Sequence, residues 1–256
     1  MGVNYMSKNL IYMVAIDHPS SQFKVTEYSK YSIPAWESWC KKNDIDFIVV
    51  TDHDDRFDKP IWNKELVFEN IGEEYDKIGI VDADTMIRWD APNIFEMYDD
   101  EFCGVVDNDS YYFLHNSINS YGKFFPDMQL NTDYYINAGV VFFTKEHKYF
   151  FDAMLEFYFD NKYELDNWSI PNTGREQTIF NFMLEKLNIK KKYLPPIWNM
   201  FGMHRKDMFF YNNVLDEHTT PYFLKYGYLW HFTGFPIEDR ISLMGQVWNS
   251  LGDNYE

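Results

Sequence analysis

Cysteine is nearly absent: Cys40 and Cys103 are the only two in 256 residues. Two thiols make neither a disulfide framework nor a four-ligand zinc site. Both are expected as reduced packing residues, which suits a cytoplasmic protein. Long apolar runs are missing as well. None approaches the ~18–20 residues that span a bilayer. The longest near the N-terminus, residues 10–16, stops at Asp17 without the small-residue cleavage site of a signal peptide, so it reads as a first strand. No transmembrane segment is expected, and the location is expected to be cytoplasmic. Cations are in short supply, with 23 Lys and Arg against 40 Asp and Glu, a formal net charge of −17. Such a surface repels a nucleic-acid backbone, and no basic stripe offsets it. A phosphorylated ligand would need a local countercharge, most simply a metal ion. There is no internal repeat and no low-complexity tract.

Aromatic side chains are abundant instead, with 20 Tyr, 23 Phe and 8 Trp. Most must fill a core. Sugar rings also lie well on aromatic faces, so part of the Tyr and Trp excess is a candidate carbohydrate cleft.

The first half alternates strands and helices. "LIYMVAID" (10–17), "IDFIVVTD" (45–52), "KIGIVDADTMI" (77–87) and "EFCGVVDND" (101–109) read as short strands. Residues 22–43 read as a helix in two pieces, because Pro34 disfavours helix at Ile33, and 61–71 carries helical spacing. The expected fold is α/β, a mostly parallel central sheet flanked by helices, with a Rossmann-like nucleotide half. After Tyr111 the texture is irregular and aromatic. It holds a strand at 134–144 with a glycine in its middle, and helices at about 147–160 and 174–187. Thr173 and Glu176 stand at capping-box spacing before the latter. No linker separates the parts. One domain over 1–256 is expected, with a nucleotide and metal half at about 8–110 and a donor-sugar and acceptor half at about 111–256.

In parallel sheets ligands bind beyond the carboxyl ends of the strands. Three strands here run out at an acid: Asp17, Asp82 and Asp107. Asp82 and Asp84 also stand two apart, so in an extended segment both point the same way. Two hard oxygen donors so placed suit Mg²⁺ or Mn²⁺ with phosphate oxygens completing the shell.

"YDKIGIVDADTMIRWDAPNIFEM" resembles the metal-binding segment of nucleotide-sugar-dependent glycosyltransferases of the GT-A fold. It is most similar to the retaining group of glycogenin and the lipopolysaccharide galactosyltransferases. Ordered short motifs extend the resemblance over roughly 10–236. It implies that Ala15, Ile16 and Asp17, in "VAID", meet the nucleotide base and ribose. Lys64 in "WNKELVFE" would face ribose or phosphates. Asp82 and Asp84 would hold the metal, and Asp107 would lie near the donor sugar. In "INAGVVFF" it implies Asn137 and Gly139 beside the sugar, and in "REQTIFN" Glu176 and Gln177 as its holders. In "WHFTG" it makes His231 the third metal ligand and puts Gly234 at the diphosphate. An imidazole beside two carboxylates favours Mn²⁺ over Mg²⁺. The group's usual Lys three residues after that glycine is Ile237 here, and Arg240, Lys225 or Arg205 are candidate substitutes. Glu176 replaces the usual Asp.

The activity implied is transfer of a sugar from a nucleotide diphosphate sugar, UDP-sugar favoured, to a hydroxyl of a glycan or other acceptor, with retention of configuration. Glu176 and Asp107 are the only nearby carboxylates, so attack from the front face assisted by the leaving phosphate is favoured over a covalent nucleophile. Two other classes fit less well. A non-catalytic carbohydrate-binding protein would have no need of a diphosphate clamp. A haloacid-dehalogenase-type phosphatase opens its domain with a similar Asp-x-Asp, which here follows two strands. Trp198 and Asn199 could line an acceptor cleft, with a core Trp equally open. His18, His53, His204 and His218 are read as surface residues.

Overall fold

A computed structural model describes residues 8–17, 24–107, 110–167, 170–171, 173–202 and 222–255. Arg205, His18, His204 and His218 lie outside these. A six-stranded sheet organises the chain. Its strands are β1 (Lys8–Val14), β2 (Asp46–Val50), β3 (Tyr75–Asp82), β5 (Phe102–Val106), β6 (Ile136–Thr144) and β7 (Lys191–Tyr193), in the order β2-β1-β3-β6-β5-β7. β1 pairs in parallel with both β2 and β3, and β5 with β7. β6 runs antiparallel between β3 and β5. All nine residues of β6 are buried.

Side chains alternate across a strand, and here each alternation feeds a different core. Leu10, Tyr12, Ile78, Ile80, Val141 and Phe143 pack on one face, and Ile11, Met13, Val81, Val140 and Phe142 on the other. Helices cover both faces. On the first lie α2 (Val67–Asn70), which follows a 3-10 stretch at Pro60–Leu66, α4 (Lys148–Asp160) and α6 (Arg175–Lys186). On the second lie α1 (Thr26–Lys42) and α8 (Ile237–Leu251). The remaining helices are α3 (Tyr111–Tyr121), α5 (Lys162–Asn167) and α7 (Tyr222–Tyr226). Cys40 and Cys103 are buried and unpaired. No helix among the described residues is long and apolar enough to cross a membrane.

Three local expectations need correction. The helix expected in two pieces is one, running through Pro34. A proline inside a helix costs ~3 kcal/mol. Burying Trp36 and Trp39 on the next turns returns several kcal/mol each, at ~25 cal/mol per Å² over ~150–250 Å². The carbonyl that Pro34 leaves unpaired belongs to Lys30, an exposed residue. Secondly, 77–87 is not one strand. β3 ends at Asp82, a turn covers Ala83 and Asp84, and β4 (Thr85–Ile87) joins β8 (Leu229–His231) in a separate antiparallel pair. Thirdly, the capping box is not made. Gly174 is the N-cap of α6, Thr173 Oγ1 donates instead to the Ile170 carbonyl, and the Glu176 carboxylate points at Lys64.

Candidate metal centre and substrate cavity

The acids at the end of β3 are fixed by their own turn. Thr85 Oγ1 donates to the Asp82 carbonyl at 2.7 Å and accepts from Trp36 Nε1 at 3.0 Å, tying the turn to α1. The Phe232 amide donates to the Asp84 carbonyl, and the register pairs Thr85 with His231. A chain segment remote in sequence therefore delivers its imidazole beside the two carboxylates. His231 Nε2 lies 3.3 Å from Asp84 Oδ1 and 3.9 Å from Asp82 Oδ2, and one donor atom from each of the three falls within 4.8 Å of the others.

Three observations show that these residues fit a divalent cation. His231 is 2% exposed, yet its Nε2 has no hydrogen-bond partner. A buried orphan of this kind is uncommon and calls for an explanation. A Cβ at Gly139 would lie 2.7 Å from Asp82 Oδ2 and 3.0 Å from His231 Nε2, and closer still to the imidazole Cε1, so glycine there keeps the space between the ligands open. The donor set, two carboxylates and one imidazole, is one that a divalent cation accepts.

Charge is balanced around the pair by two cations. Lys64, buried in the 3-10 stretch, places Nζ 3.8 Å from Asp82 Oδ1, 3.3 Å from Glu176 Oε1 and 3.4 Å from the Ala138 carbonyl. Burial alone would lower its pKa, but the carboxylates of Asp82, Glu176 and Glu65 outweigh burial and raise it, so Lys64 stays charged. Arg240 Nη1 contacts Asp84 Oδ2 at 3.0 Å, with its guanidinium over the Tyr28 ring. The two acids are driven apart. Desolvation, with the neighbouring Asp84 charge adding to it, raises the Asp82 pKa. Burial acts upward on Asp84 too, but His231 and Arg240 prevail and pull it down.

The other predicted residues converge on the same sheet edge. A cavity of about 420 Å³ is bounded by Lys64, Asp82, Asp107, Asn137, Gly139, Glu176, Gln177, His231 and Gly234. Gly234 has φ of 80°, which favours glycine. Asp107 Oδ2 accepts from Asn137 Nδ2 at 3.2 Å and from Gln177 Nε2 at 3.1 Å, while Gln177 Oε1 accepts from the Ala138 amide. A second cavity of about 210 Å³ adjoins, sharing Lys64, Asp82 and Glu176, with an apolar wall of Val14, Ile16 and Val25 beside Tyr28. Ala15 is buried beside it, its amide donating to the Val50 carbonyl.

Asp17 is not brought to either cavity. Its carboxylate accepts from the amide and hydroxyl of Thr26 at the start of α1, and the residue is exposed. Most of the described aromatic side chains are core residues or pack against the core, although Tyr111, Tyr112 and Tyr163 are exposed. The larger cavity takes its aromatic wall from Phe113 and Phe201 rather than from Tyr or Trp. Trp198 is 1% exposed, a core residue, and Asn199 is buried against His231 instead of lining an acceptor cleft. His53 is half-buried, hydrogen-bonded to the Phe57 carbonyl and to Asn63. Lys225 points elsewhere, over the Tyr226 ring. Sequence reasoning missed Thr85 and the role of Asn199. A buried Asn directly after "PPIW" carries no local signal of its partner.

No family model matches the sequence, and no curated protein matches it. Solved structures do. A glycosyltransferase involved in glycosylating the major capsid protein of PBCV-1 aligns over 93% of this chain and 99% of its own, with a TM-score of 0.60 at 12% identity. The galactosyltransferase LgtC, solved with donor and acceptor sugar analogues, aligns over 94% and 96%, with a TM-score of 0.51 at 16% identity. The chain has the GT-A glycosyltransferase fold. The bifunctional glycosyltransferase WbbM also matches, over 97% of this chain and 52% of its own, with a TM-score of 0.59 at 15% identity. Against WbbM the present chain therefore spans about half the length.

Proposed function

We propose that this GT-A chain is a metal-dependent glycosyltransferase that moves a sugar from a nucleoside diphosphate sugar, UDP-sugar favoured, to a hydroxyl of a glycan or other acceptor, with retention of configuration. The observation that carries the reading is the set Asp82, Asp84 and His231, orphaned Nε2 included, of which Asp82 and His231 border a cavity lined with amide and carboxylate groups. A carbohydrate-binding module has no need of a diphosphate clamp.

Asp82, Asp84 and His231 would hold Mn²⁺, or Mg²⁺. Bound there, it would supply Lewis-acid stabilisation of the charge that develops on the departing diphosphate. The residues of the chain do the rest. The apolar wall of the 210 Å³ cavity, formed by Val14, Ile16 and Val25 beside Tyr28, suits the base. Asp17 contributes only by holding α1, through Thr26. Lys64 brings a fixed positive charge to the phosphates or ribose, and Gly234 lets a backbone amide approach the diphosphate. Arg240, paired with Asp84 Oδ2, would supply a cation in place of the Lys that Ile237 replaces. Asp107, Asn137 and Gln177 form the floor that orients the donor sugar.

The two carboxylates near that floor are both engaged, Glu176 by Lys64 and Asp107 by two amides. Neither is poised as a nucleophile, which favours attack from the front face assisted by the leaving phosphate. The deciding experiment is a donor panel. Release of nucleoside diphosphate from UDP-sugars and other nucleotide sugars is followed with and without Mn²⁺, in wild type and Asp84→Asn, and the anomer formed is read by NMR. Release that needs the metal and is lost in the variant supports the proposal. A wild type that turns over no nucleotide sugar under any metal condition, yet binds free glycans equally well with Asp84→Asn, overturns it in favour of a carbohydrate-binding protein.

A further inference from the structure

A single buried hydrogen-bond chain joins the sugar floor to the metal-ligating imidazole. The Gly139 amide donates to Asn137 Oδ1 at 3.1 Å. A backbone N–H can only donate, so the atom facing it is the oxygen, and Asn137 Nδ2 is turned to Asp107 Oδ2 at 3.2 Å. The same Asn137 Oδ1 receives Asn199 Nδ2 at 3.1 Å. That contact in turn leaves Asn199 Oδ1 facing His231 Nδ1 at 3.1 Å. An amide oxygen has no proton to give, so Nδ1 must carry one. In the neutral ring Nε2 is then the bare lone pair, and it is the atom that faces the two acids without a hydrogen bond.

We infer that Asn199, oriented by Asn137 and ultimately by the Gly139 amide and Asp107, is a positioning residue that fixes the Nδ1–H tautomer of His231 and so presents Nε2 to a divalent cation. This rests on the metal reading above but deepens it. The residues that would meet the donor sugar, Asp107 and Asn137, and the residue that would hold the metal share one directional network. Asp107, Asn137, Asn199 and His231 are each at most 5% exposed, so a broken link in this network is costly. Outer-shell partners of a ligating histidine typically change metal affinity by ~10–100-fold.

The test uses the full chain labelled with ¹⁵N-histidine, at a pH where the ring is neutral, with His231→Gln identifying the signal. The expected wild-type spectrum has His231 protonated at Nδ1 alone, without metal. Asn199→Leu, of similar volume but unable to accept, should populate the Nε2–H form and weaken Mn²⁺ binding, followed by electron paramagnetic resonance, by ~10–100-fold. Asn199→Asp, which still accepts from Nδ1–H but can no longer donate to Asn137 Oδ1, should keep the tautomer. A wild-type His231 carrying its proton on Nε2 overturns the inference. So does a folded Asn199→Leu with unchanged tautomer, or one whose changed tautomer leaves Mn²⁺ affinity untouched. If Asn199→Leu fails to fold, the wild-type tautomer and the Asn199→Asp rescue decide. A wild type with the Nδ1–H form that binds no Mn²⁺ upholds the relay and refutes the metal reading instead.

Discussion

Gly139→Ala is the sharpest perturbation of the cation seat, because it adds one methyl group where the ligands converge. The new Cβ would stand 2.7 Å from Asp82 Oδ2 and 3.0 Å from His231 Nε2, with the imidazole Cε1 nearer still. Gly139 sits in fully buried β6, a strand paired with β3 on one side and β5 on the other, so its backbone has little room to move. The imidazole must retreat by roughly 1 Å to reach ordinary contact, several times the ~0.2 Å tolerance on metal–ligand distances. Overpacking of this kind costs ~1–3 kcal/mol, which in a chain of this size lowers Tm by ~2–4 °C per kcal/mol. The protein should therefore still fold. Mn²⁺ binding should fall by at least the ~10–100-fold seen when a site loses the support of one ligand. Isothermal titration of Mn²⁺ into folded Gly139→Ala, alongside a melting curve, reads both quantities. A variant that melts within this range but binds Mn²⁺ as tightly as wild type would refute the convergence of Asp82 and His231 on one ion.

Three further outcomes follow from buried groups around that seat. Glu65 is 1% exposed with both carboxylate oxygens unpartnered, and burial, against the opposing pull of Lys64, pushes its pKa up to about 8. A raised carboxyl pKa means that the fold binds the proton more tightly than the unfolded chain does. Its penalty is absent below the unfolded value of 4.5, grows as pH rises and is complete above about 8. Glu65→Gln should then stabilise the protein by up to several kcal/mol at pH 8.5 and little at pH 4.5; equal effects at both pH values in urea unfolding would contradict this. Lys64→Met leaves Asp82 and Glu176 without their shared cation and should cost ~3–5 kcal/mol at neutral pH, shrinking as the carboxylates protonate, in the same unfolding assay. Thr85→Val orphans both Trp36 Nε1 and the Asp82 carbonyl. It should cost ~1–3 kcal/mol and weaken Mn²⁺ binding, and unchanged affinity would show that the turn is held by other contacts.

Much of the sheet edge was legible. Apolar runs ending at Asp82 and Asp107 mark strands that finish at one cavity, and the glycine inside "INAGVVFF" marks a close approach, made by the Asp82 carboxylate and the His231 ring. What was not legible depends on partners distant in sequence. The split of 77–87 at Asp82 follows from β8 pairing with β4, and nothing in "DADTMI" reveals that partner. Pro34 misled because the burial of Trp36 and Trp39 is a tertiary gain larger than a local penalty. The Thr173–Glu176 spacing fits a capping box, but Glu176 is claimed by Lys64 from another element. Asp17 ends an apolar run as Asp82 does, yet its carboxylate goes to Thr26. Asn199 is legible only through His231 and Asn137, each brought to it by a different strand.

The most direct measurement is a thermal-shift panel of UDP, GDP, ADP and CMP, each with and without Mn²⁺, on wild type and Asp84→Asn. A ligand at about 100 times its dissociation constant stabilises by about 2.7 kcal/mol, or ~5–10 °C in a chain of this size. The expected result is one diphosphate, UDP, that raises Tm only with Mn²⁺ and not in Asp84→Asn. A wild type whose melting no nucleotide changes, with or without metal, would contradict a nucleotide-sugar site at Asp82, Asp84 and His231.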